Sequence, residues 1–350
     1  MINKFAYKIC LIFCLSLFTY HIDITQKKID FLNSKNILNQ KEQENQKTKL
    51  NFINRFFGIF TQIYFNFRNV VHITSKYNEN NNYDNNHNKI LLCSIGKDEN
   101  LYAKEFVEYY ISLGFDKIII LDNNDLEGER FDIVLKKYID DHFVEIKNIR
   151  GLKQVQIPAF NYCYRKNMYL YDWIAFFDFD EYLFINNNSK VKQYLYNNRF
   201  LKCQQILLNW HMYDDNNLLK YDNRTMINRF NNFKTIGQKT KFIVRGNIIN
   251  LLISSSHIAV NSNYCDSKGE QIYPVSYHNL PIENNSVAYL KHFYTKTAEE
   301  YCNKIKRGYA QTQYKQNQKL NELEINTFFK YNKKTLDKIE ILKKCNNFIE

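Results

Sequence analysis

The residues of this chain most able to do chemistry are the carboxylates Asp178, Asp180 and Glu181, which follow the apolar run 173–177. The run has the length and aromatic content of a buried strand. Because side chains alternate along an extended chain, we expect Asp178 and Asp180 on the same side. Two oxygen ligands on one side suit Mg²⁺ or Mn²⁺ holding a diphosphate. A strand that simply runs into an acidic turn is the alternative.

The segments around these carboxylates alternate between strand and helix patterns from residue 89 onward. Buried strands are predicted at residues 90–95, 117–121, 143–146, 173–177, 205–210, 241–244 and 254–260. Helices are predicted at residues 101–113, 131–139, 155–169 and 297–307. The last helix begins with a capping box of Thr297 and Glu300. The pattern predicts an α/β fold with a mostly parallel sheet flanked by helices, whose strand ends are the usual place for a ligand.

The composition is that of a folded protein with a basic surface. The 350 residues are 45% hydrophobic, and the scarcity of Gly (9) and Pro (3) argues against a turn-rich all-β fold. The formal net charge of +12 is compatible with nucleic acid, an anionic membrane or a phosphorylated ligand. Because no nucleic-acid recognition motif accompanies the charge, we predict no nucleic-acid partner.

The eight cysteines are scattered, and the sequence contains no Cys-x-x-Cys pair. Cys93 and Cys163 lie in apolar segments and are interpreted as small core residues. Cys265 and Cys302 are able to pair in an oxidising compartment, but spacing alone does not decide this.

The N-terminal segment predicts a membrane attachment. Lys4 and Lys8 precede the apolar run 9–20, a pattern typical of a signal peptide or signal anchor. We favour an uncleaved, single-pass, type II-like anchor with the compact domain in the ER or Golgi lumen; a cytoplasmic orientation, a cleaved signal and a buried helix stay open. The predicted organisation is an anchor at residues 1–22, a polar stem at 23–88, a compact domain at 89–310 and a C-terminal helical appendage at 311–350.

Several motifs along residues 90–310 resemble, in order, those of GT-A-type glycosyltransferases, in particular family 92 and the related family-2-like group. The motifs are Lys97-Asp98-Glu99, the helix 106–115, Leu121-Asp122-Asn123-Asn124-Asp125, residues 154–159, Asp178-Phe179-Asp180-Glu181, Asn209-Trp210, the strand 239–244 and Lys291-His292-Phe293-Tyr294-Thr295-Lys296-Thr297 with Glu300, Lys304, Arg307 and Gly308. The chain departs from the family in the 121–125 turn, which lacks the usual Ser, and at residues 213–215, where the family has Phe-Gly-Ser.

The resemblance implies a GT-A, Rossmann-like fold and transfer of a hexose from a nucleotide sugar to a glycan or glycoconjugate acceptor. UDP is the expected nucleotide and galactose the favoured sugar. A Mn²⁺ or Mg²⁺ ion is expected on Asp178, Asp180 and His292, with Asp180 as the more direct carboxylate ligand. His257 competes as the third ligand, but its position in an apolar run favours a packed core histidine.

The residues expected to contact the nucleotide sugar follow the first two strands or lie in the Asp-x-Asp and C-terminal motifs. They are Lys97, Asp98, Glu99, Asp122, Asn123, Asp178, Lys296 and Arg307. Lys296, Lys304 and Arg307 would neutralise phosphate charge, and Lys304 and Arg307 are spaced to share one helix face. A solvated basic helix face is the alternative. Asp98 is equally able to cap the following helix. Glu181 is either a support for the metal ligands or a solvated loop residue.

The candidates for the catalytic base are Asp214 and Asp215, which follow the Asn-Trp motif. An inverting transfer needs a carboxylate near the acceptor hydroxyl. A polar turn that continues into Asn216 and Asn217 explains the two residues equally well.

Two other functions stay open on the sequence. A metal-dependent nucleotidyltransferase or phosphatase also uses paired Asp residues, although an Asp-nucleophile phosphatase would carry them after its first strand. A membrane-tethered glycan-binding domain without activity would not need an intact set of Asp178, Asp180 and His292.

Overall fold

The computed structural model describes residues 88–273, 282–308 and 320–345, all within one compact unit of residues 86–350. The predicted anchor and all but the last residue of the predicted stem lie outside these ranges, so both stay predictions. Within the described ranges, no helix is both long and apolar enough to cross a lipid bilayer.

A ten-stranded mixed sheet forms the centre of the domain. The strands, in chain order, are β1 (Ile90–Gly96), β2 (Lys117–Asp122), β3 (Val144–Asn148), β4 (Trp173–Phe176), β5 (Glu181–Ile185), β6 (Gln205–Tyr213), β7 (Phe233–Arg245), β8 (Leu252–Ile253), β9 (Ala259–Val260), β10 (Tyr264–Cys265), β11 (Gln271–Ile272) and β12 (Ala288–His292). Their spatial order is β11-β10-β6-β7-β4-β1-β2-β3, with β12 paired to β5 and β6, while β8 and β9 form a separate pair.

Strands β1 to β4 form the parallel half of this sheet. β1 pairs in parallel with β2 and β4, and β2 pairs in parallel with β3. β7 runs antiparallel between β4 and β6. The alternation predicted from the sequence is confirmed, and the fold is a mixed α/β fold whose parallel strand ends meet at one edge.

Nine α-helices lie within the described residues, and the first four connect the parallel strands β1 to β4. They are α1 (Asn100–Leu113), α2 (Phe131–Val134), α3 (Lys136–Asp140), α4 (Gln156–Asn167), α5 (Val191–Leu195), α6 (Met226–Arg229), α7 (Ala298–Arg307), α8 (Glu322–Tyr331) and α9 (Leu336–Lys344). α1 buries Ala103, Phe106 and Tyr110 on one face. It ends at Gly114, whose φ of 101° is the left-handed conformation that glycine adopts without strain.

Three predictions of secondary structure are corrected. The helix at 131–139 is divided into α2 and α3, because Leu135 leaves the helical conformation with φ −106° and ψ 12°. Of the strand predicted at 254–260, only β9 forms, and β8 precedes it. His257 lies in the bend between β8 and β9, which the serines at 254–256 favour. β5 and β12 were not predicted, since neither is recognisable until they pair with each other.

Three disulfides join the cysteines of the described residues. They are Cys93–Cys163, Cys203–Cys265 and Cys302–Cys345. Cys93 and Cys163 are buried in the core, as interpreted, and are joined to each other. The pairing of Cys265 with Cys302, which the sequence left open, does not occur, because they pair with Cys203 and Cys345. Cys265 meets Cys203 because β10 pairs with the beginning of β6, a contact between segments far apart in sequence.

Candidate active site

A cavity of about 370 Å³ lies at the carboxyl ends of the parallel strands β1 and β4. Gly96 ends β1 at its edge, where an added Cβ would lie 2.6 Å from the Phe131 ring. Only glycine therefore fits this position without moving the rings packed beneath it. Other elements supply the charged and aromatic lining: Asp178 and Asp180 after β4, Trp210 on β6, His292 on β12, and Lys304 and Arg307 on α7.

The three carboxylates of the sequence motif lie in a turn. The N–H of Glu181 donates to the Asp178 carbonyl (3.1 Å), and the N–H of Asp178 donates to Glu181 Oε2 (3.0 Å). The expectation that strand alternation puts Asp178 and Asp180 on one side is therefore wrong, because β4 ends at Phe176. Both nevertheless line the same cavity. Glu181 is completely buried and is not a solvated loop residue.

Asp180 is the buried acidic centre of the site. Its Oδ2 lies 2.7 Å from Lys304 Nζ, and its Oδ1 lies 3.6 Å from His292 Nε2. Burial alone would raise the pKa of the Asp180 carboxyl, but the charge of Lys304 and the neighbouring His292 ring outweigh burial, and that pKa stays well below its usual range. Burial lowers the pKa of the His292 imidazole, so this ring is disposed to be neutral and to act as a ligand.

Lys241, on β7, balances the other two carboxylates and was not predicted as a site residue. Its Nζ lies 2.6 Å from Asp178 Oδ2 and 3.6 Å from Glu181 Oε2. Burial opposes its charge, yet these carboxylates outweigh burial and raise the pKa of Lys241. Burial also raises the pKa of Glu181 well above its usual value, since Lys241 lies closer to Asp178. Gln156 Nε2 donates to Asp178 Oδ1 (3.2 Å).

Asp180, Glu181 and His292 each offer a ligand atom within 4.8 Å of the others, so together they are able to hold a metal ion. Two of these groups also have an unused polar atom: Glu181 Oε1 and His292 Nδ1 are buried and have no hydrogen-bond partner among the described residues. Carboxylate oxygens and an imidazole suit a divalent cation. The three-residue group therefore fits such an ion and includes Glu181 in place of the predicted Asp178.

A second charged cluster lies where α7 meets the end of β1. Glu99 accepts from Lys296 Nζ (3.3 Å) and forms an ion pair with Arg307 (2.6 Å). The Lys296 ammonium also lies 3.7 Å from the centre of the Tyr102 ring, and burial lowers the pKa of this lysine. Glu99 and Arg307 line the cavity, whereas Lys296 is not among its lining residues. Lys296 therefore supports Glu99 rather than facing a ligand directly.

The predicted nucleotide contacts after β1 and β2 form one connected cluster. Lys97 Nζ lies 2.9 Å from Asp125 Oδ1, and the Asp98 N–H donates to Asn124 Oδ1 (2.7 Å). Asp98 makes no side-chain cap on α1, which begins after Glu99 without one. Burial raises the pKa of the Asp98 carboxyl.

Asp122 is buried against Arg150, a residue that the sequence analysis did not single out. The Arg150 Nη1 lies 3.3 Å from Asp122 Oδ2, and the Asn124 side chain donates to Asp122 Oδ1 (2.7 Å). The neighbouring Asn123 lines the cavity and donates to the Leu152 carbonyl (2.8 Å). Of the residues after β2, Asn123 thus has the most direct access to a ligand.

The structure does not bring Asp214 and Asp215 to the described cavity lining. Asp214 pairs with Lys234 (2.9 Å), and Asp215 pairs with Lys338 of α9 (2.6 Å). Both carboxylates are buried, and burial raises the pKa of Asp215. Because both carboxylates are paired with lysines and lie outside the cavity lining, the structure does not support the expectation that one of them is the catalytic base.

The rings of Trp210 and His257 also line the cavity. Trp210 lies between two imidazoles, with ring centres 4.2 Å from His292 and 5.3 Å from His257. His257 is half-buried and lines the cavity, so its interpretation as a packed core histidine is wrong. The bend between β8 and β9 turns the residue out of the apolar run that suggested a core position.

Fold and site together define an α/β protein with basic side chains and an acidic cluster able to hold a cation at its strand ends. The sequence matches the profile of glycosyltransferase family 92 over residues 89–328, so the chain belongs to that family. A family 92 protein of Ricinus communis is 26% identical over 94 residues, which make up 27% of this chain and 17% of that protein.

Solved structures show weaker similarity to this chain. Staphylococcus aureus TarS, residues 1–349 in complex with UDP-GlcNAc, is 11% identical with a TM-score of 0.31, over 45% of each chain. A glycosyltransferase involved in glycosylation of the major capsid of PBCV-1 is 15% identical with a TM-score of 0.22, over 46% of this chain and 62% of the other. Because both TM-scores are low, the assignment rests on the family match.

Proposed function

We propose that this glycosyltransferase moves a hexose, with galactose favoured, from a UDP-linked donor to a glycan or glycoconjugate acceptor with the help of Mn²⁺ or Mg²⁺. The observation that carries the proposal is the group of Asp180, Glu181 and His292, whose ligand atoms lie within 4.8 Å of one another; Asp180 and His292 also line the cavity. Carboxylates buried together are costly unless a cation offsets their charge.

The metal ligands in this proposal are Asp180, His292 and Glu181, with Asp178 beside them. A divalent cation held there would offset the negative charge that develops on the leaving diphosphate. Lys304 and Arg307 line the same cavity and supply further positive charge for phosphate oxygens. Holding donor and acceptor side by side in the cavity supplies the remaining catalytic effect.

The nucleotide is proposed to lie along the ends of β1 and β2. Asn123 and Lys97 line the cavity there, and the Asp122–Arg150 pair behind them fixes the loop. A base and a ribose need hydrogen-bonding groups of this kind. Glu99, held by Lys296 and Arg307, keeps the end of α7 next to this edge.

The proposed setting is an oxidising compartment. Disulfides form and persist in the ER lumen and beyond, and are rare in the cytosol. The disulfides Cys93–Cys163, Cys203–Cys265 and Cys302–Cys345 favour a lumenal domain behind the predicted N-terminal anchor.

A donor screen tests this function. The purified full-length chain is incubated with UDP-, GDP- and CMP-sugars and Mn²⁺, and both nucleotide release and transfer to glycan acceptors are measured. We expect turnover with UDP-galactose and its loss on adding a chelator, with recovery on restoring Mn²⁺. Turnover only with a GDP- or CMP-sugar would refute the UDP assignment, and chelator-resistant turnover would refute the metal.

A further inference from the structure

We propose that His257 is the catalytic base that takes the proton from the acceptor hydroxyl. The inference rests on the glycosyl transfer proposed above and names the residue that this reaction still lacks. It comes from four observations: the pairing of the cavity carboxylates, the hydrogen bond of the His257 ring, the fixation of its backbone, and its position relative to Trp210.

The carboxylates of the described cavity lining are all engaged by cations. Glu99, Asp178 and Asp180 each have a lysine or arginine nitrogen within 3.3 Å. A carboxylate that is paired with a cation binds a proton weakly, which makes it a poor base. Asp214 and Asp215, the carboxylates expected from the sequence, lie outside this lining and are paired with lysines as well.

The His257 ring is held in one tautomer. Its Nδ1 lies 2.8 Å from the Thr240 carbonyl oxygen. A carbonyl oxygen only accepts hydrogen bonds, so Nδ1 must carry the proton and donate it. Nε2 is then the nitrogen with a lone pair, which is the arrangement that a general base requires.

The backbone around His257 is fixed on both sides. Its N–H donates to Ser255 Oγ (3.1 Å), and Thr240 Oγ1 donates to its carbonyl (3.3 Å). Thr240 precedes Lys241, which pairs with Asp178. Adjacent residues of β7 therefore contact both parts of the site: Thr240 holds the His257 ring, and Lys241 pairs with Asp178. This shared strand fixes His257 relative to the acidic turn.

Trp210 separates this imidazole from the metal group. Its ring centre lies 5.3 Å from that of His257 and 4.2 Å from that of His292. The three side chains line one cavity. A sugar held beside Trp210 would thus have the acidic group with its diphosphate on one side and the base on the other, as a direct displacement requires.

The step balances as a single displacement. The acceptor oxygen forms a bond to the anomeric carbon as its proton passes to His257 Nε2. The bond between that carbon and the diphosphate oxygen breaks, and its electron pair leaves with the nucleoside diphosphate. The imidazolium then returns its proton to solvent, and the anomeric configuration of the sugar is inverted.

The test compares full-length His257→Ala with wild type at saturating donor. General-base loss predicts a fall in kcat of roughly 10²- to 10⁴-fold, with the dissociation constant for UDP and Mn²⁺ unchanged. Added imidazole should restore part of the rate, which a merely structural role would not allow. The matched control is His211→Gln, which alters a histidine outside the cavity lining and should keep wild-type kcat.

Three results would overturn the assignment: unchanged kcat in His257→Ala, a rate loss explained by weaker donor binding, or retention of anomeric configuration in the wild-type product. Each of these leaves the glycosyltransferase itself active and so affects only the base. A wild-type chain that turns over no nucleotide sugar would instead reject the proposed function, and the role of His257 with it. Circular dichroism of each variant excludes misfolding as the cause of a loss.

Discussion

At the scale of single residues, the acidic turn is defined by the cations that its carboxylates meet. Asp178 meets the buried Lys241, and Asp180 meets Lys304 and His292. Glu181, next to Asp180 in the chain, keeps one oxygen without a hydrogen bond among the described residues. Three carboxylates in one turn are tolerated because Lys241 lies near both Asp178 and Glu181, and Lys304 pairs with Asp180.

Asp178→Asn combined with Asp180→Asn should abolish transfer without unfolding the domain. The change removes the carboxylates needed at the cation site, while Lys241 keeps Glu181 at 3.6 Å and Lys304 keeps the Tyr294 carbonyl at 2.9 Å. Circular dichroism, Mn²⁺ titration and turnover are measured on both proteins. Undiminished turnover in the double variant would reject the metal site.

His292→Ala should weaken Mn²⁺-dependent UDP binding by roughly tenfold or more, as loss of metal ligands and their supports typically does. The reason is the place of His292 in the three-residue group, next to Asp180. Calorimetric titration with UDP in the presence of Mn²⁺ provides the measurement. The control is His257→Ala, which should bind UDP nearly as wild type does; the reverse order of affinities would move the third ligand to His257.

His211 should make the domain less stable as the pH falls. Burial, with a smaller contribution from Lys291, lowers the pKa of this ring to about 4, compared with about 6.5 in an unfolded chain. Between these values the unfolded state binds more protons, so the free energy of unfolding decreases as pH falls from about 6.5 to about 4. Urea unfolding across this range should show a flatter profile for His211→Gln, and parallel profiles would contradict the assignment.

At the scale of elements, helix α7 connects the site to the core. Its first turn has the capping box predicted from the sequence, with Thr297 Oγ1 and Glu300 in reciprocal contact. Glu300 also accepts from Arg229 Nη1 (2.8 Å) and from the Tyr102 hydroxyl (2.7 Å). The helix that carries Lys304 is thereby fixed to α1 and α6 through one buried carboxylate.

Glu300→Ala should lower the free energy of unfolding by about 3–5 kcal/mol, the cost of leaving a buried partner charge unpaired. Arg229, which is fully buried, would lose its carboxylate, and α7 would lose part of its cap. Urea unfolding measures the change. Asp140→Ala is the control, because its pair with Lys136 is exposed and is worth about 0–1 kcal/mol; equal losses in both variants would contradict the buried-pair argument.

At the scale of the whole molecule, the C-terminal helices belong to the packing around the site. Tyr301 and Ile305 of α7 form a hydrophobic cluster with Phe328 of α8 and Leu342 of α9. The disulfide Cys302–Cys345 closes the same group. The segment predicted as a helical appendage therefore covers one side of α7, and the family match correspondingly extends to residue 328.

The predicted N-terminal anchor should keep the full-length chain with membranes. The apolar run 9–20 after Lys4 and Lys8 is the reason, and it lies outside the described residues. Carbonate extraction followed by fractionation is the measurement, with a chain beginning at residue 76 as the soluble control. Full-length protein that is released by carbonate would show that the run is not an anchor.

The sequence by itself determined the alternation of strands and helices, the acidic motif after the fourth strand and the cap of α7. These features depend on side chains near one another in the chain, whose periodicity and capping pattern are local. The resemblance to family 92, which the family match confirms, also came from ordered local motifs.

Tertiary structure alone decided which side chains meet. The disulfide partners, the pairing of Lys241 with Asp178 and of Arg150 with Asp122, and the turning of His257 into the cavity all join segments far apart in sequence. Asp214 matched the expected chemistry of a base but faces Lys234 instead. The type of a residue determines which interactions its side chain is able to make. Strand order and long-range packing determine which partner it meets.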